Sequence, residues 1–438
     1  MNHFKHLRNV LNHCVKKLAV NSSEFLSHPD LDFSRKRKLS FSTVVNLILC
    51  MGSSSLKDEL LHYFDFSFDT VSSSAFVQAR SKISPLAFRH LFDDFNRNTK
   101  HPILFHGFHL YSIDGSSIPI SHDPHDTDTY IPQIGNDGNP VKGYNAFHLT
   151  ALYDLLDHTY DDIIIQGEAH LDEKGAYNQI VDHFSFSKKA IMIADRGFES
   201  INSFVHAERS GNFYLTRVKD IHSKTSVTKS FGVPKEGEFD IDARRILTRR
   251  CTNEIKAHPE LFKWMPKNQK FDFFGDDSYY YFSCRIVRFQ LTDDTYETII
   301  TNLERDEFST EDIKELYHKR WGIETSFRKV KYAIGLNAFH AKKRDLILQE
   351  IYARLTLYNF CERMVKQVTI PKKKRKHAYQ VNFTRTCHII KKFLKRKSRN
   401  LSAVDSLIAK EILPIRAERS FPRNVRHKSA VCFNYRFD

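Results

Sequence analysis

The feature that most constrains this chain is a set of four polar residues, Tyr317, Arg320, Glu324 and Lys331, at offsets of 0, 3, 7 and 14. At about 100° per residue in an α-helix, these offsets put all four side chains within a roughly 60° stripe. The capping-box sequence at 309–312 predicts where this helix begins. An apolar stripe beside the polar one predicts packing against a core, and its members are Leu316, Ile323, Phe327, Val330 and Ile334.

A single carboxylate among several cations is unusual for a solvated helix face. Arg328 lies close to the same stripe and adds another positive charge. The arrangement suits a phosphodiester site, because Glu324 would hold a metal ion while Arg320 and Lys331 hold phosphate oxygens. On spacing alone, an amphipathic helix with a solvated charged face is an equal alternative.

Residues 1–100 are predicted to be helical. Apolar residues within 4–18 follow helical spacing, and Ser42 is a candidate cap for a second helix. The amphipathic segment 74–82 carries cations, including Arg80, that its pattern marks as exposed. A small DNA-binding domain and an ordinary helical cap on the core both fit this region, because it has no clear helix-turn-helix signature.

From about residue 101 the hydrophobic pattern becomes that of β-strands. Strands are predicted at 108–120, 147–153, 160–166, 189–194 and 212–218, with helices at 173–184 and 199–209. The order β-β-β-α-β-α-β predicts an α/β fold with a mixed sheet flanked by helices. Four regions follow the helical start: a first catalytic part at 101–219, a mostly β insertion at 220–300, a second catalytic part at 301–370, and a basic helical region at 371–438.

Two acidic residues mark the ends of predicted strands. Asp114 ends the core of the first strand, and Asp195 follows the apolar run at 189–194. If these strands are parallel neighbours, both carboxylates emerge at the sheet edge where α/β sites usually form. Glu324 can complete a set of three oxygen ligands that suits Mg²⁺ or Mn²⁺ and poorly suits zinc. Two such ions can activate an attacking oxygen and stabilise a leaving one in phosphoryl transfer.

Each acid also has a structural interpretation. Asp114 begins an Asp-Gly-Ser sequence that is common in turns, and the Asp-Arg-Gly sequence at Asp195 could equally be a turn that ends a strand. Other carboxylates in this region lie less clearly at the sheet edge: Asp161, Asp162, Glu168 and Glu173.

Together, these motifs resemble those of bacterial insertion-sequence DDE transposases that carry a Tyr-Arg-Glu-Lys signature. The resemblance rests on Asp114, on Asp195 within Asp-Arg-Gly-Phe, and on Tyr317-x2-Arg320-x3-Glu324-x6-Lys331. The signature matches in residue type and spacing, and Trp321 also fits members of the group. The order and spacing of these motifs cover most of residues 70–370.

The resemblance implies a ribonuclease-H-like catalytic fold with a β insertion between the second Asp and the Glu. It implies that Asp114, Asp195 and Glu324 are catalytic metal ligands. It also implies that the Tyr, Arg and Lys of the signature contact the DNA backbone near the scissile phosphate. The implied partners are double-stranded DNA, as terminal inverted repeats and target, and a second copy of the chain in a synaptic homodimer.

Some members of this family cut the second strand through a DNA hairpin and stack a flipped base on a tryptophan of the insertion. Trp264 is the only tryptophan within 220–300, which makes it the base-stacking candidate. Its local context matches no family pattern, so a packing role in the core is the simpler expectation.

The formal net charge of +15 belongs to the C-terminal region. Residues 371–438 contain 19 Lys and Arg but only four Asp and Glu, and the rest of the chain is balanced at 48 of each sign. Such a region is expected to meet a polyanion, unless it is a disordered charged extension. Arg217 and Lys219 are either DNA-channel residues or ordinary strand-end charges. The cations predicted to bind DNA phosphates are Lys372, Lys373, Lys374, Arg375 and Lys376.

Several other protein classes are disfavoured. The seven cysteines are scattered without a Cys-x-x-Cys pair, which predicts neither a zinc module nor a disulfide framework and fits a reducing cytosol. The N-terminus lacks the apolar segment of a signal peptide, and the apolar run at 44–51 is too short to span a membrane. We therefore expect a bacterial cytoplasmic protein associated with the nucleoid.

Three functions are consistent with these features of the sequence. The first is a Mg²⁺-dependent DNA transposase, with Mn²⁺ as a substitute, that cuts at terminal inverted repeats and joins the freed 3′ ends to target DNA. The second is a metal-dependent nuclease without strand transfer, and the third is a non-catalytic DNA-binding protein derived from a transposase. The intact acids favour an enzyme, because DNA binding alone does not require Glu324 among cations.

Overall fold

A computed structural model describes residues 2–135, 137–185, 188–292, 295–370, 377–395 and 403–415. Within these ranges a ten-stranded mixed sheet is flanked by helices, which confirms the predicted α/β class. The strands of this sheet are β1 (His109–Ile120), β2 (Tyr130–Ile134), β3 (Pro140–Asp154), β4 (Thr159–Gly167), β5 (Ala190–Ala194), β6 (Phe213–Val218), β7 (Phe239–Thr248), β8 (Phe262–Trp264), β9 (Tyr279–Thr292) and β10 (Thr295–Thr301).

The first half of the sheet has the strand order β4-β3-β1-β5-β6. Strand β3 is antiparallel to both β1 and β4, whereas β5 and β6 are parallel to β1. This is the mixed sheet of a ribonuclease-H-like fold, in agreement with the prediction. The short strand β2 was not predicted, and it pairs with the first residues of β3, which begins earlier than expected.

The strands of the predicted insertion continue the same sheet. Strand β10 pairs antiparallel with β6, and β9, β7 and β8 follow it in that order. Strands β7, β8 and β9 and most of β10 lie within 220–300, and they do not form a separate sheet. Pairing with β10 removes the open edge that β6 would otherwise present.

The helices lie on both faces of the sheet and before it in the chain. They are α1 (His3–Val20), α2 (Phe41–Cys50), α3 (Leu56–Tyr63), α4 (Ser73–Arg80), α5 (Leu86–Thr99), α6 (Glu173–His183), α7 (Ile201–Arg209), α8 (Asn253–Ala257), α9 (Thr310–Lys319), α10 (Trp321–Arg328), α11 (Arg344–Gln367), α12 (Phe383–Lys395) and α13 (Ala403–Lys410). A small pair, β11 (Tyr379–Val381) and β12 (Ile412–Pro414), joins the C-terminal helices. Within the described ranges, no helix combines the length and apolarity that crossing a membrane needs.

The two faces of the sheet have separate cores. On β5, Ile191 and Ile193 face a core shared with α1, α2, α5 and α9–α11. The alternate residues Met192 and Ala194 face a second core, which includes α6 and α7. This alternation follows from the period of two along a strand, and it explains the uninterrupted apolar run before Asp195.

The N-terminal helices form a cap on the core. The rings of Phe4 on α1 and Phe360 on α11 lie 5.9 Å apart, so the two ends of the chain share one apolar core. Ser40, rather than the predicted Ser42, caps α2. Arg80, expected on an exposed face, is 0% exposed because it forms an ion pair with a buried acid.

That buried acid is Glu350 on α11. Its carboxylate lies 3.0 Å from Arg80, 2.9 Å from Arg354 and 3.0 Å from His340. Burial would raise the pKa of Glu350, but the hydrogen bond from His340 and the two arginine charges outweigh burial and hold that pKa far below its usual range. Arg354 also donates to the carbonyl of Gly335, which follows α10 in the chain. The cluster therefore links α4 and α11 to the residues after α10.

We expect Glu350→Gln to destabilise the fold by about 3 kcal/mol or more, because it leaves two buried guanidinium groups without a counter-charge. The midpoint of urea-induced unfolding measures this loss. Glu307→Gln, which removes an exposed carboxylate, is the matched control and should change the midpoint little. Equal effects of the two substitutions would contradict a structural role for the cluster.

A second buried acid lies at the turn between β3 and β4. Asp154 is fully buried, and its Oδ1 accepts hydrogen bonds from the backbone N–H groups of Leu156 and Asp157. Burial, together with the negative charge of Asp161, raises the pKa of Asp154 to about 7. Asp154 is therefore protonated in the folded chain at pH values where it is ionised in the unfolded chain.

This difference predicts a pH-dependent stability. The folded chain binds more protons than the unfolded chain between about pH 4 and pH 7, so the contribution of Asp154 to the free energy of unfolding falls across that interval. Asp154→Asn retains the neutral form, and we expect it to gain on the order of 1–3 kcal/mol over wild type at pH 8 but little at pH 4. Urea unfolding at both pH values measures the difference. The exposed control Asp30→Asn should show no such pH dependence.

Candidate active site

Asp114 and Asp195 lie at one edge of the sheet. Strands β1 and β5 are parallel neighbours in which Ile113 is opposite Ala194, and each acid is the next residue in its chain. The predicted convergence of the two strands is confirmed. Strand β1 continues to Ile120, so the interpretation of Asp114 as the start of a turn is wrong. Asp195 does end its strand, and a short turn over Arg196–Phe198 follows it.

Gly115 explains why β1 continues past Asp114. A β-carbon at this position would collide with the side chains of His148 and Glu173. His148 lies 2.9 Å from Glu173 and 3.4 Å from Glu168, so two of the competing carboxylates bind a histidine beside the site. Burial alone would lower the pKa of His148, but the hydrogen bonds with Glu168 and Glu173 raise it.

The signature residues lie on an interrupted helix instead of the single helix that was expected. The capping box formed by Ser309 and Asp312 begins α9, as predicted. The chain tightens at Arg320, where hydrogen bonds span three residues on either side, before α10 begins. A π-helical segment, Lys329–Ile334, then follows and ends at Gly335, whose φ of +96° favours glycine. The predicted apolar stripe is buried throughout.

Despite the interruptions, the signature side chains reach the acids. The Tyr317 hydroxyl donates to Oδ1 of Asp195 at 3.2 Å. The Arg320 guanidinium donates to Oε1 of Glu324 at 2.8 Å and lies 3.8 Å from Oδ2 of Asp114. The Lys331 amine donates to the Ser117 carbonyl of β1 at 2.9 Å. Arg328 is exposed on α10.

The electrostatics indicate that the site has excess negative charge. Burial raises the pKa of Asp114 to about 6, and the charges of Glu324 and Asp195 add to that effect. Arg320, which is 3% exposed, opposes it from a position between Asp114 and Glu324. Its guanidinium also lies over the rings of Tyr317 and Trp321. A cation is therefore needed where the carboxylates meet, and Arg320 supplies it in this structure.

A further acid, Glu297 on β10, was missed by the sequence analysis. Arg217 lies 3.4 Å from Glu297 and 3.8 Å from Asp195, so this arginine belongs to the edge of the site. Burial, with the charge of Asp195, raises the pKa of Glu297 even though Arg217 is close. Only the pairing of β10 with β6 brings Glu297 here, and no motif in the sequence signals it.

Trp264 lies far from the acids. It is opposite Thr248, which pairs with Tyr279 at the start of β9, whereas the acids lie level with Val287 nearer the other end of β9. This offset of eight residues corresponds to about 26 Å along the strand. The indole is 50% exposed, so the simpler expectation of a core role is wrong, and the structure does not bring it to the acids. The predicted phosphate contacts Lys372–Lys376 lie outside the described residues.

The comparison with known families decides the family of the chain. Residues 107–360, more than half of the chain, match the family described as Transposase DDE domain. The chain belongs to the DDE transposases. The IS4 transposase InsG of Escherichia coli K12 is 21% identical over 424 residues, which cover 90% of this chain and 87% of that protein.

Two further comparisons concern a short segment and a solved structure. The transposase of insertion sequence IS421 from Escherichia coli is 37% identical over 57 residues, or 13% of this DDE transposase and 15% of its relative. A piggyBac transposase, solved as a synaptic complex with hairpin DNA, has a TM-score of 0.47 at 10% identity, and the match covers 96% of this chain and 86% of that one.

As a DDE transposase, the chain is an enzyme of DNA cleavage and strand transfer whose chemistry depends on a divalent metal ion. The three carboxylates fit such an ion in type, since they offer only oxygen ligands and repel one another. Within the described ranges, however, no three His, Cys, Asp or Glu side chains converge closely enough to hold one ion. In this structure the Arg320 guanidinium lies between Asp114 and Glu324.

We expect Gly115→Ala to lower the rate of DNA cleavage at least tenfold and to cost about 1–3 kcal/mol of stability, because its β-carbon displaces the pair of His148 and Glu173 behind Asp114. Metal-dependent nicking of duplex DNA and urea unfolding measure the two effects. Gly275→Ala is the matched control, because its β-carbon makes only an ordinary contact with Asp277. Full activity of Gly115→Ala would show that the packing over this glycine is unimportant.

Proposed function

We propose that this DDE transposase cuts at the terminal inverted repeats of its own element and joins the freed 3′ ends to target DNA. The observation that carries the proposal is the alignment of Asp114 and Asp195 on adjacent parallel strands, with Glu324 linked to Asp114 through one guanidinium. A sheet edge with two aligned acids, a third acid linked to them through a guanidinium, and several cations suits a phosphodiester that must be held and broken.

In this proposal Asp114, Asp195 and Glu324 are the catalytic residues and hold two Mg²⁺ ions, with Mn²⁺ as an effective substitute. When bound, these ions activate the attacking oxygen and stabilise the leaving one. Oxygen-only ligands support this choice of metal over zinc. The raised pKa of Asp114 supports it as well, because a neighbouring cation favours the ionised form of a carboxyl that burial disfavours.

The signature residues position DNA. The Tyr317 hydroxyl orients Asp195 through its hydrogen bond. Arg320, whose guanidinium lies over the rings of Tyr317 and Trp321, would bind phosphate oxygens once other cations replace its charge at the acids. Lys331 and the exposed Arg328 bind the backbone on either side of the scissile phosphate.

Three parts of the proposal come from the resemblance to the signature family. They are a homodimer that pairs two transposon ends, phosphate contacts by Lys372–Lys376, and stacking of a flipped base on Trp264. The exposed indole fits stacking, although it lies far along the sheet from the acids. Sedimentation of the chain with and without end DNA tests the dimer.

Glu324→Gln is the decisive variant, because it keeps the shape of the side chain and removes the ligand charge. We expect it to bind DNA carrying the element's ends with wild-type affinity, and to lose at least a hundredfold in Mg²⁺-dependent cleavage and in joining of pre-cleaved ends. Gel assays of the three steps measure this. Glu315→Gln, which removes an exposed carboxylate paired with Lys319 on α9, is the matched control and should retain activity.

The same assays separate the alternative functions. A wild-type chain that nicks DNA but never joins ends would be a metal-dependent nuclease. A wild-type chain that binds the ends without cutting them under Mg²⁺ or Mn²⁺ would be a non-catalytic binding protein. Full activity of Glu324→Gln would show that the third metal ligand is another acid, for which Glu297 is the nearest candidate on the same edge.

A further inference from the structure

A cleft of about 710 Å³ adjoins Asp195 on the α6 and α7 face of the sheet, the face that does not carry the signature helices. Its walls come from the start of α6, the turn after β5 and the loop after β6. The charged side chains that line it are Lys174, Asp195, Arg196, Glu199, Lys219 and Asp220. Asp195 therefore separates two surfaces, the signature residues on one side and this cleft on the other.

Two acids of the cleft have hydrogen-bond partners within the protein. The carboxylate of Glu199 accepts the backbone N–H groups of Lys219 and Val227. Asp220 accepts the backbone N–H of His222 and lies 3.4 Å from Arg288. Within the described residues, neither carboxylate forms an ion pair with a cation that lines the cleft.

The three cations of the cleft contact neutral groups or solvent. The Lys174 amine donates to the Glu199 carbonyl at 2.9 Å, and the Lys219 amine donates to the Thr225 hydroxyl at 3.0 Å. Arg196 is exposed next to Asp195. Within the described part of the chain, none of the three forms an ion pair with a carboxylate. Their charges are therefore available to an anion in the cleft.

There is also room for a polymer backbone at this position. Gly197 is exposed at the mouth of the cleft, and a β-carbon there would meet no heavy atom within 4 Å. A cluster of three cations beside open space and a catalytic acid suits the phosphodiesters of DNA better than a small molecule, which would need an enclosed apolar pocket.

We infer that this cleft binds the backbone of the target DNA during strand transfer. The inference rests on the proposed function, in which the signature residues hold the transposon end. In-line displacement puts the attacking 3′ oxygen of the transposon end and the leaving oxygen of the target on opposite sides of the phosphorus, so the two DNA molecules leave the reaction centre in different directions. The side left for the target is the one that carries Lys174, Arg196 and Lys219.

The test compares cleavage of uncut ends with joining of pre-cleaved ends to a plasmid. For the double variant Arg196→Gln and Lys219→Gln, we expect the loss in joining to exceed the loss in cleavage at least tenfold. Lys188→Gln, which removes an exposed cation near the opposite end of β5, is the control and should leave the ratio of the two rates at its wild-type value.

A second pair of variants adds side chains and deletes none, so a loss of side-chain contacts cannot explain its effect on joining. Gly197→Glu and Gly197→Gln add side chains of one shape into open space, and only the first adds a negative charge. We expect Gly197→Glu to reduce joining at least fivefold more than Gly197→Gln does, with the melting temperatures of both within about 2 °C of wild type.

The outcomes are distinguishable. Equal losses of cleavage and joining would mean that the cleft holds the transposon end, and would overturn the assignment to target DNA. Unchanged joining in both sets of variants, beside an active wild type, would overturn the cleft as a DNA site and leave the proposed function intact. A wild type that cleaves but never joins would refute the proposed strand transfer, and this inference with it.

Discussion

The parallel pairing of β1 with β5 is the constraint on which the site depends. Its register aligns Ile113 with Ala194 and so delivers Asp114 and Asp195 to the same edge. A slip of one residue would turn one of these acids to the opposite face of the sheet. Every residue of β5 is buried and packs against one of the two cores, so the strand is held on both faces.

The position of the third acid does not depend on the register of the strands. Glu324 lies on a helix that packs over the sheet, and its position relative to β1 is set at both ends of the signature segment. At one end Tyr317 binds Asp195, and at the other Lys331 binds the backbone of β1. The cluster around Glu350 fixes Gly335, where the segment ends, through Arg354. The geometry of the acids is thus supported by charges buried well away from them.

The sequence predicted best those features that depend on local pattern. An apolar run followed by an acid located Asp195, and helical spacing located the signature segment together with its buried stripe. Features that depend on tertiary pairing were missed. Arg80 looked exposed because its partner lies 270 residues away, and Glu297 reaches the site only through the pairing of β10 with β6.

Local pattern also failed where the backbone departs from a regular form. The single stripe expected for the four signature residues assumed a uniform helical pitch. The helix instead tightens at Arg320 and widens after Lys329. Asp-Gly-Ser suggested a turn, but Gly115 is present because neighbouring side chains cover it, which a single sequence does not reveal. The strand β2 escaped notice because it is short and contains a proline, Pro132.

The contact between Phe4 and Phe360 has a consequence for biosynthesis. The amphipathic helix α1 leaves the ribosome first, yet its apolar face packs against α11, which is made after three-quarters of the chain. Until then the early helices keep apolar surface open to water or to a chaperone, since domains complete only when their long-range contacts become available. The acids come from equally distant parts of the chain. A translation product that ends before Glu324 therefore lacks the third acid and the part of the shared core that α11 supplies.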